Sequence, residues 1–135
     1  MGVPFMLTLL ADAYGKAGQP EEGLKQLVEA ELSMQIRNER VYETELHRMR
    51  GELLMSLRDF AGAEASFREA IAVAQRQSAK LFELRAAISM ARLWRDQGKR
   101  EEARELLAPV YGWFTEGFDT LDLKEAKALL DELAT

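Results

Sequence analysis

Apolar residues recur every three or four positions along almost the whole chain, which is the spacing that buries one face of a helix. Short polar segments with glycine, proline or charged residues separate the apolar runs. These features predict seven helices, at about residues 4–16, 20–36, 39–57, 60–78, 80–97, 100–111 and 121–133. Pro109 lies within the sixth helix, so we expect a kink or an end near Ala108. The segment from Asp122 to Glu125 has the form of a capping box, so the last helix is expected to begin there.

The chain also repeats itself, without gaps, at an interval of 40 residues. Four aligned columns carry the repeat, and they alternate between small and large residues. The columns are Ala11, Gly51 and Ala91; Tyr14, Leu54 and Trp94; Gly23, Ala63 and Ala103; and Leu27, Phe67 and Leu107. Small residues let two helices approach closely, and large side chains fill the space beside them. Each repeat is therefore predicted to be a hairpin of two helices, with Gly18 and Gly98 in the left-handed position that follows the first helix.

This succession of small and large residues resembles that of the tetratricopeptide repeat. That family has a usual period of about 34 residues, and the proline that often ends its repeats is absent here, so we expect longer helices between repeats, at residues 34–43 and 74–83. The resemblance implies a single all-α domain over residues 1–135. Three hairpins, at about 4–37, 44–77 and 84–117, would stack in a right-handed superhelix, and a capping helix at 121–133 would end it.

A narrower resemblance covers the segment from Glu83 to Leu133, which is similar to the C-terminal repeat tail of large bacterial regulators. In those proteins a nucleotide cyclase or a DNA-binding domain precedes a P-loop ATPase and then the tail. The resemblance implies a non-catalytic interaction or scaffold module from a signalling protein. The alternative is an effector-sensing domain that controls an attached ATPase or cyclase. A deep apolar pocket lined by Met49, Met55 and Met90 would favour the sensor, and a broad charged groove would favour the scaffold.

Composition supports the all-α class and narrows the function. Ala, Leu, Glu, Lys and Arg make up 74 of the 135 residues, whereas Val, Ile and Thr number only 13. The net charge of −5 argues against a nucleic-acid binder. The chain has no cysteine, which excludes disulfide scaffolds and thiol nucleophiles. It has neither a signal-peptide pattern nor an apolar run of about 20 residues, so we expect a cytoplasmic protein that does not bind membranes.

No motif predicts an enzyme, a cofactor or a metal. The serines, Ser89 among them, have no base near them in the sequence, and pairs such as Glu101 and Glu102 suit the positive end of a helix dipole. His47 could bind a metal with Glu43, but two ligands are too few for a site. We expect His47 to be a partly buried residue at a helix interface.

The first helix of each hairpin would line an inner groove, as the family resemblance implies. The candidate groove residues are Asp12, Glu45, Arg48, Glu52, Arg85, Arg92 and Arg95. They could form a peptide groove with a basic wall from the last three arginines. They could equally form a ladder of ion pairs, because Glu45 is in register with Arg85 and Glu52 with Arg92. Some family members bind the terminal carboxylate of a peptide with Lys and Asn side chains. The corresponding places here carry Asp12 and Glu52, so we do not expect this carboxylate clamp. The expected partner is a protein, a peptide or another domain of the parent.

Two apolar clusters are further candidates. Tyr111, Trp113, Phe114 and Phe118 could dock a partner, or they could seal the sixth helix against the capping helix. Phe5, Met6 and Leu9 crowd the first helix, and one hairpin cannot bury them all. They predict self-association through the N-terminal hairpin, most simply as a homodimer.

Overall fold

A computed structural model describes residues 20–25, 27–28 and 42–134, and all of its regular secondary structure is α-helix. The helices are α1 (Glu43–Ser56), α2 (Phe60–Arg76), α3 (Lys80–Asp96), α4 (Arg100–Gly112) and α5 (Leu121–Leu133). Residues 20–25 and 27–28 are helical as well. The predicted all-α class is therefore confirmed, and so are five predicted helices to within a few residues. The predicted helix at 4–16, the groove residue Asp12 and the self-association residues Phe5, Met6 and Leu9 lie outside the described residues.

The turns that join α1 to α2, α2 to α3 and α3 to α4 share one conformation and lie 20 residues apart. Arg58, Ser78 and Gly98 each have a positive φ, of 63°, 55° and 81°. The N–H of the following residue donates to a carbonyl five residues back, as in Lys99 N to Trp94 O at 2.7 Å. This is the Schellman motif. The left-handed position predicted for Gly98 is confirmed, and two other residues at intervals of 20, Arg58 and Ser78, adopt it as well.

The described helices form two layers. Helix α3 contacts both α1 and α5, so these three lie side by side in one layer. Helix α2 packs on α1 and α3, and α4 packs on α3 and α5, so α2 and α4 form the other layer. The first helix of each hairpin therefore lies on the same side of the molecule. None of the described helices combines the length and the apolar character needed to cross a membrane.

The core lies between the layers and follows the columns of the repeat. Gly51 of α1 meets Phe67 of α2, and the Phe67 side chain is completely buried. In the next hairpin Ala91 of α3 and Leu107 of α4 are both fully buried in one cluster. The contact of Gly51 with Phe67 is a close approach of two helices at a small residue, as the columns predict.

Two details of the predicted helix ends differ from the structure. Of the kink or end expected near Ala108, the end is not observed, because helix α4 continues through Pro109 to Gly112. A proline so close to the end removes one hydrogen bond from an exposed last turn, which the helix tolerates. Helix α5 begins at Leu121, with Thr120 rather than Asp122 at the N-cap position. The carboxylate of Asp122 does not cap the helix because it accepts a hydrogen bond from Arg85 at 3.0 Å.

Candidate functional site

A groove of about 500 Å³ runs along the layer of α1, α3 and α5. It is lined by Arg48, Met49, Glu52, Leu53, Ser56, Arg85, Ile88, Ser89, Arg92, Leu121, Asp122 and Glu125. Four of the predicted groove residues, Arg48, Glu52, Arg85 and Arg92, are in this lining. Glu45 lies next to it through an ion pair, whereas Arg95 pairs with Asp96 and Glu132 outside it.

The floor of the groove is apolar. Met49 and Leu53 are one turn apart on α1, and Ile88 faces them from α3; all three are buried. Leu121, the first residue of α5, also lines the groove and is 70% exposed. An apolar group that entered the groove would therefore contact side chains from all three helices.

Arg85 links the three helices of the groove. Its Nε donates to Oδ2 of Asp122 on α5 at 3.0 Å, and its Nη1 lies 3.7 Å from Oε1 of Glu45 on α1. Glu45 also pairs with Arg48 at 2.8 Å. The predicted pairing of Glu45 with Arg85 is thus confirmed, and Arg85 connects α3 to the helix on each side of it.

The predicted pairing of Glu52 with Arg92 is wrong. Arg92 donates to Oε2 of Glu125 on α5 at 3.3 Å. The crossing of α3 and α5 places the acidic face of α5 beside the arginines of α3, so a closer carboxylate takes the place expected for Glu52. The basic wall expected from Arg85, Arg92 and Arg95 is therefore neutralised, mostly by α5.

Two polar side chains in the groove have no such partner. The carboxylate of Glu52 forms no ion pair or hydrogen bond with another residue in the described part of the chain. Ser89 is only 2% exposed, and within the same ranges its hydroxyl has no hydrogen bond. Sequence reasoning considered Ser89 only as a nucleophile. Its position four residues after Arg85 and three before Arg92 is the signal that places it on the groove face of α3.

The three methionines that would favour a sensor do not meet. Only Met49 lines the groove. Met90 is buried between the layers in a cluster with Phe67, and Met55 packs against that cluster.

The aromatic residues divide into two pairs of different character. Tyr111 and Phe114 pack on the core cluster that contains Leu123 of α5, so they seal α4 against the last helix. Trp113 and Phe118 are 57% and 45% exposed. The Trp113 ring packs edge-on to Phe114, with 5.2 Å between centroids, and Nζ of Lys80 lies 5.6 Å from its centroid.

His47 is partly buried, as expected. Its Nε2 lies 3.9 Å from Oε1 of Glu43, and its Nδ1 lies 3.3 Å from Nη1 of Arg50. The described part of the chain contains no group of three or more His, Cys, Asp or Glu side chains that could hold a metal ion.

Comparison of the chain with family models, with curated proteins and with solved structures found no match. The geometry of the groove is therefore the basis for assigning a function.

Proposed function

We propose that this chain is a non-catalytic protein–protein interaction module that presents the groove of α1, α3 and α5 to another protein or to another domain of its parent. The observation that carries the proposal is an apolar floor of Met49, Leu53 and Ile88 between charged side chains from three helices. Such a surface can bury an apolar side chain of a partner and orient it with polar contacts.

The ion pairs around Arg85 support binding without rearrangement. Because Arg85 bridges Glu45 and Asp122, the three helices that line the groove are tied together before a partner arrives. A pre-organised surface loses little conformational entropy on association, which favours affinity.

The wider architecture in this proposal is that of a tetratricopeptide-like tail of a bacterial signalling or regulatory protein. The facing small and large residues and the repeated turns support stacked hairpins in a right-handed superhelix. Lys124, Lys127, Asp131 and Glu132 are exposed on α5, as a capping helix requires. The net charge of −5 favours a protein partner over a nucleic acid.

The effector-sensing alternative has less support from the groove. That alternative predicts an apolar pocket lined by Met49, Met55 and Met90. Of these three residues, only Met49 lines the groove. The charged side chains along the groove suit a peptide surface better than an enclosed apolar effector.

A photo-crosslinking experiment tests the proposal. A benzophenone amino acid replaces Leu121 at the end of the groove, and a matched variant carries it at Leu81, which is also exposed near a helix start but does not line the groove. After irradiation in the cells that make the protein, we expect a specific crosslink from position 121, either to another protein or to another domain of the parent chain, and none from position 81. Adducts of the same kind from both positions, or from neither, would contradict the proposal.

A further inference from the structure

We infer that the groove binds a partner segment that carries a lysine or arginine side chain next to an apolar one. This inference rests on the proposed function and specifies the chemistry of the partner. It is carried by Glu52 and Ser89, which are the two groove side chains that the intramolecular contacts leave unused.

The first argument is charge. Arg48, Arg85 and Arg92 are the cations of the lining, and each already has a carboxylate within 3.3 Å. The carboxylate of Glu52 has no cation among the described residues. An acidic partner would compete with carboxylates that already pair with these arginines, and it would meet Glu52 as a like charge. A basic side chain meets no such competition at Glu52 and gains a charge-assisted hydrogen bond.

The second argument is the hydroxyl of Ser89. Ser89 lines the groove, is only 2% exposed, and forms no side-chain hydrogen bond with the described residues. Among those residues only Thr44 Oγ1 is both fully enclosed and without a hydrogen-bond partner, so the Ser89 oxygen is accessible from the groove. A hydroxyl can both donate and accept a hydrogen bond. A peptide backbone, which offers both a carbonyl and an N–H, would satisfy it, and this favours a protein segment.

The third argument is the position of the apolar floor next to Glu52 and Ser89. Met49 and Leu53 lie on the same helix as Glu52, and Ile88 lies directly before Ser89. A partner whose cation reaches Glu52 therefore holds its neighbouring side chains over the apolar floor. The volume of about 500 Å³ is within the usual range of binding clefts, and it has room for a few side chains rather than a whole domain face.

Selection from a random dodecapeptide library displayed on phage tests the inference on the full 135-residue chain. We expect the enriched peptides to contain Lys or Arg beside Leu, Ile, Met or Phe. Glu52→Gln should weaken binding of a synthetic enriched peptide about tenfold, as loss of a charged hydrogen bond does. Ser89→Ala should weaken it by a smaller factor. The control Glu102→Gln removes the same charge at an exposed position outside the groove and should have no effect.

The outcomes separate this inference from the proposed function. Enriched peptides that are acidic or uncharged, and that lose binding in Leu121→Asp, would overturn the basic partner and leave the groove as the interaction site. Basic peptides whose affinity is the same for Glu52→Gln and the parent chain would also overturn the inference. Failure to enrich any peptide that depends on Leu121 would overturn both.

Discussion

Gly51 of α1 lies directly against the ring of Phe67 in α2. A Cβ atom at position 51 would lie 2.4 Å from Cε1 of that ring, which is closer than atoms can pack. The ring is fully buried, and side chains in a protein core are closely packed. This contact fixes the distance between the two helices of the hairpin.

Gly51→Ala is therefore expected to destabilise the protein by about 1–3 kcal/mol, as overpacking does, although alanine is the better helix former. Gly51→Leu should cost more. Chemical denaturation measures both free energies of unfolding. Gly112→Ala is the control, because a Cβ at Gly112 meets no atom within 4 Å. Equal stability of Gly51→Ala and Gly112→Ala would argue against the close approach of α1 and α2.

At two of the Schellman turns, adding and removing a glycine should have opposite effects on the free energy of unfolding. Ser78 holds φ at 55°, where a side chain is strained, so Ser78→Gly should stabilise the protein by about 0.5–1 kcal/mol. Gly98 occupies the equivalent place, with φ at 81°, so Gly98→Ala should destabilise it by a similar amount. Thermal melting of both variants checks the signs. A loss of stability in Ser78→Gly would mean that the left-handed conformation at this turn is not strained.

Glu64 and Trp94 make stability depend on pH. The pKa of Glu64 lies below its ordinary value, chiefly because the indole N–H of Trp94 donates to its carboxylate at 3.0 Å. A carboxyl with a lowered pKa stabilises the fold above its unfolded pKa of about 4.3, and that contribution disappears as pH falls through the folded value. Trp94→Phe should therefore be less stable than the parent at pH 7, by about 1 kcal/mol or more.

The deficit of Trp94→Phe should begin to shrink as pH falls below about 4.3, and it should be lost below the lowered pKa of Glu64 in the parent, where this carboxyl is protonated in both proteins. Denaturation at a series of pH values follows the difference. Trp113→Phe serves as the control, since Trp113 is largely exposed. A deficit that stays constant from pH 7 to below pH 4 would assign the effect to packing of the indole rather than to its hydrogen bond.

The ion pairs of the groove predict which charges matter for folding. Arg85→Gln should cost about 1 kcal/mol, because it leaves Glu45 and Asp122 without their shared cation. Glu52→Gln should change stability by only a few tenths of a kcal/mol, since Glu52 has no ion pair in the described ranges. Arg104→Gln on the exposed face of α4 is the control. Equal losses in Arg85→Gln and Glu52→Gln would contradict the pairing described above.

Local sequence signals predicted the described helices. Glycine at position 98 predicted a positive φ at that turn, and the small residue at position 51 predicted a close approach of two helices, but not that Gly51 meets Phe67. The turns at Arg58 and Ser78 carried no such signal, because neither residue is typical of a left-handed position. The 20-residue spacing of the turns was therefore not apparent from the sequence.

The candidate site was only partly predictable. The register of the repeat placed Glu45 beside Arg85, but it assigned Arg92 to the wrong carboxylate. The pairing of Arg92 with Glu125 depends on how α5 crosses α3, and no repeat column encodes that crossing. The unused carboxylate of Glu52 follows from the same crossing, so only the folded chain reveals it.

The most direct test of the groove is a nuclear magnetic resonance titration of the ¹⁵N-labelled chain with the partner protein or with its binding segment. We expect the largest changes in amide chemical shift at Glu52, Ser89 and Leu121, and no change at Arg104 on α4. Leu121→Asp should abolish these changes while the spectrum remains that of a folded protein. Changes centred on the exposed Trp113 and Phe118, with Glu52 and Ser89 unaffected, would contradict the assignment of the groove as the binding surface.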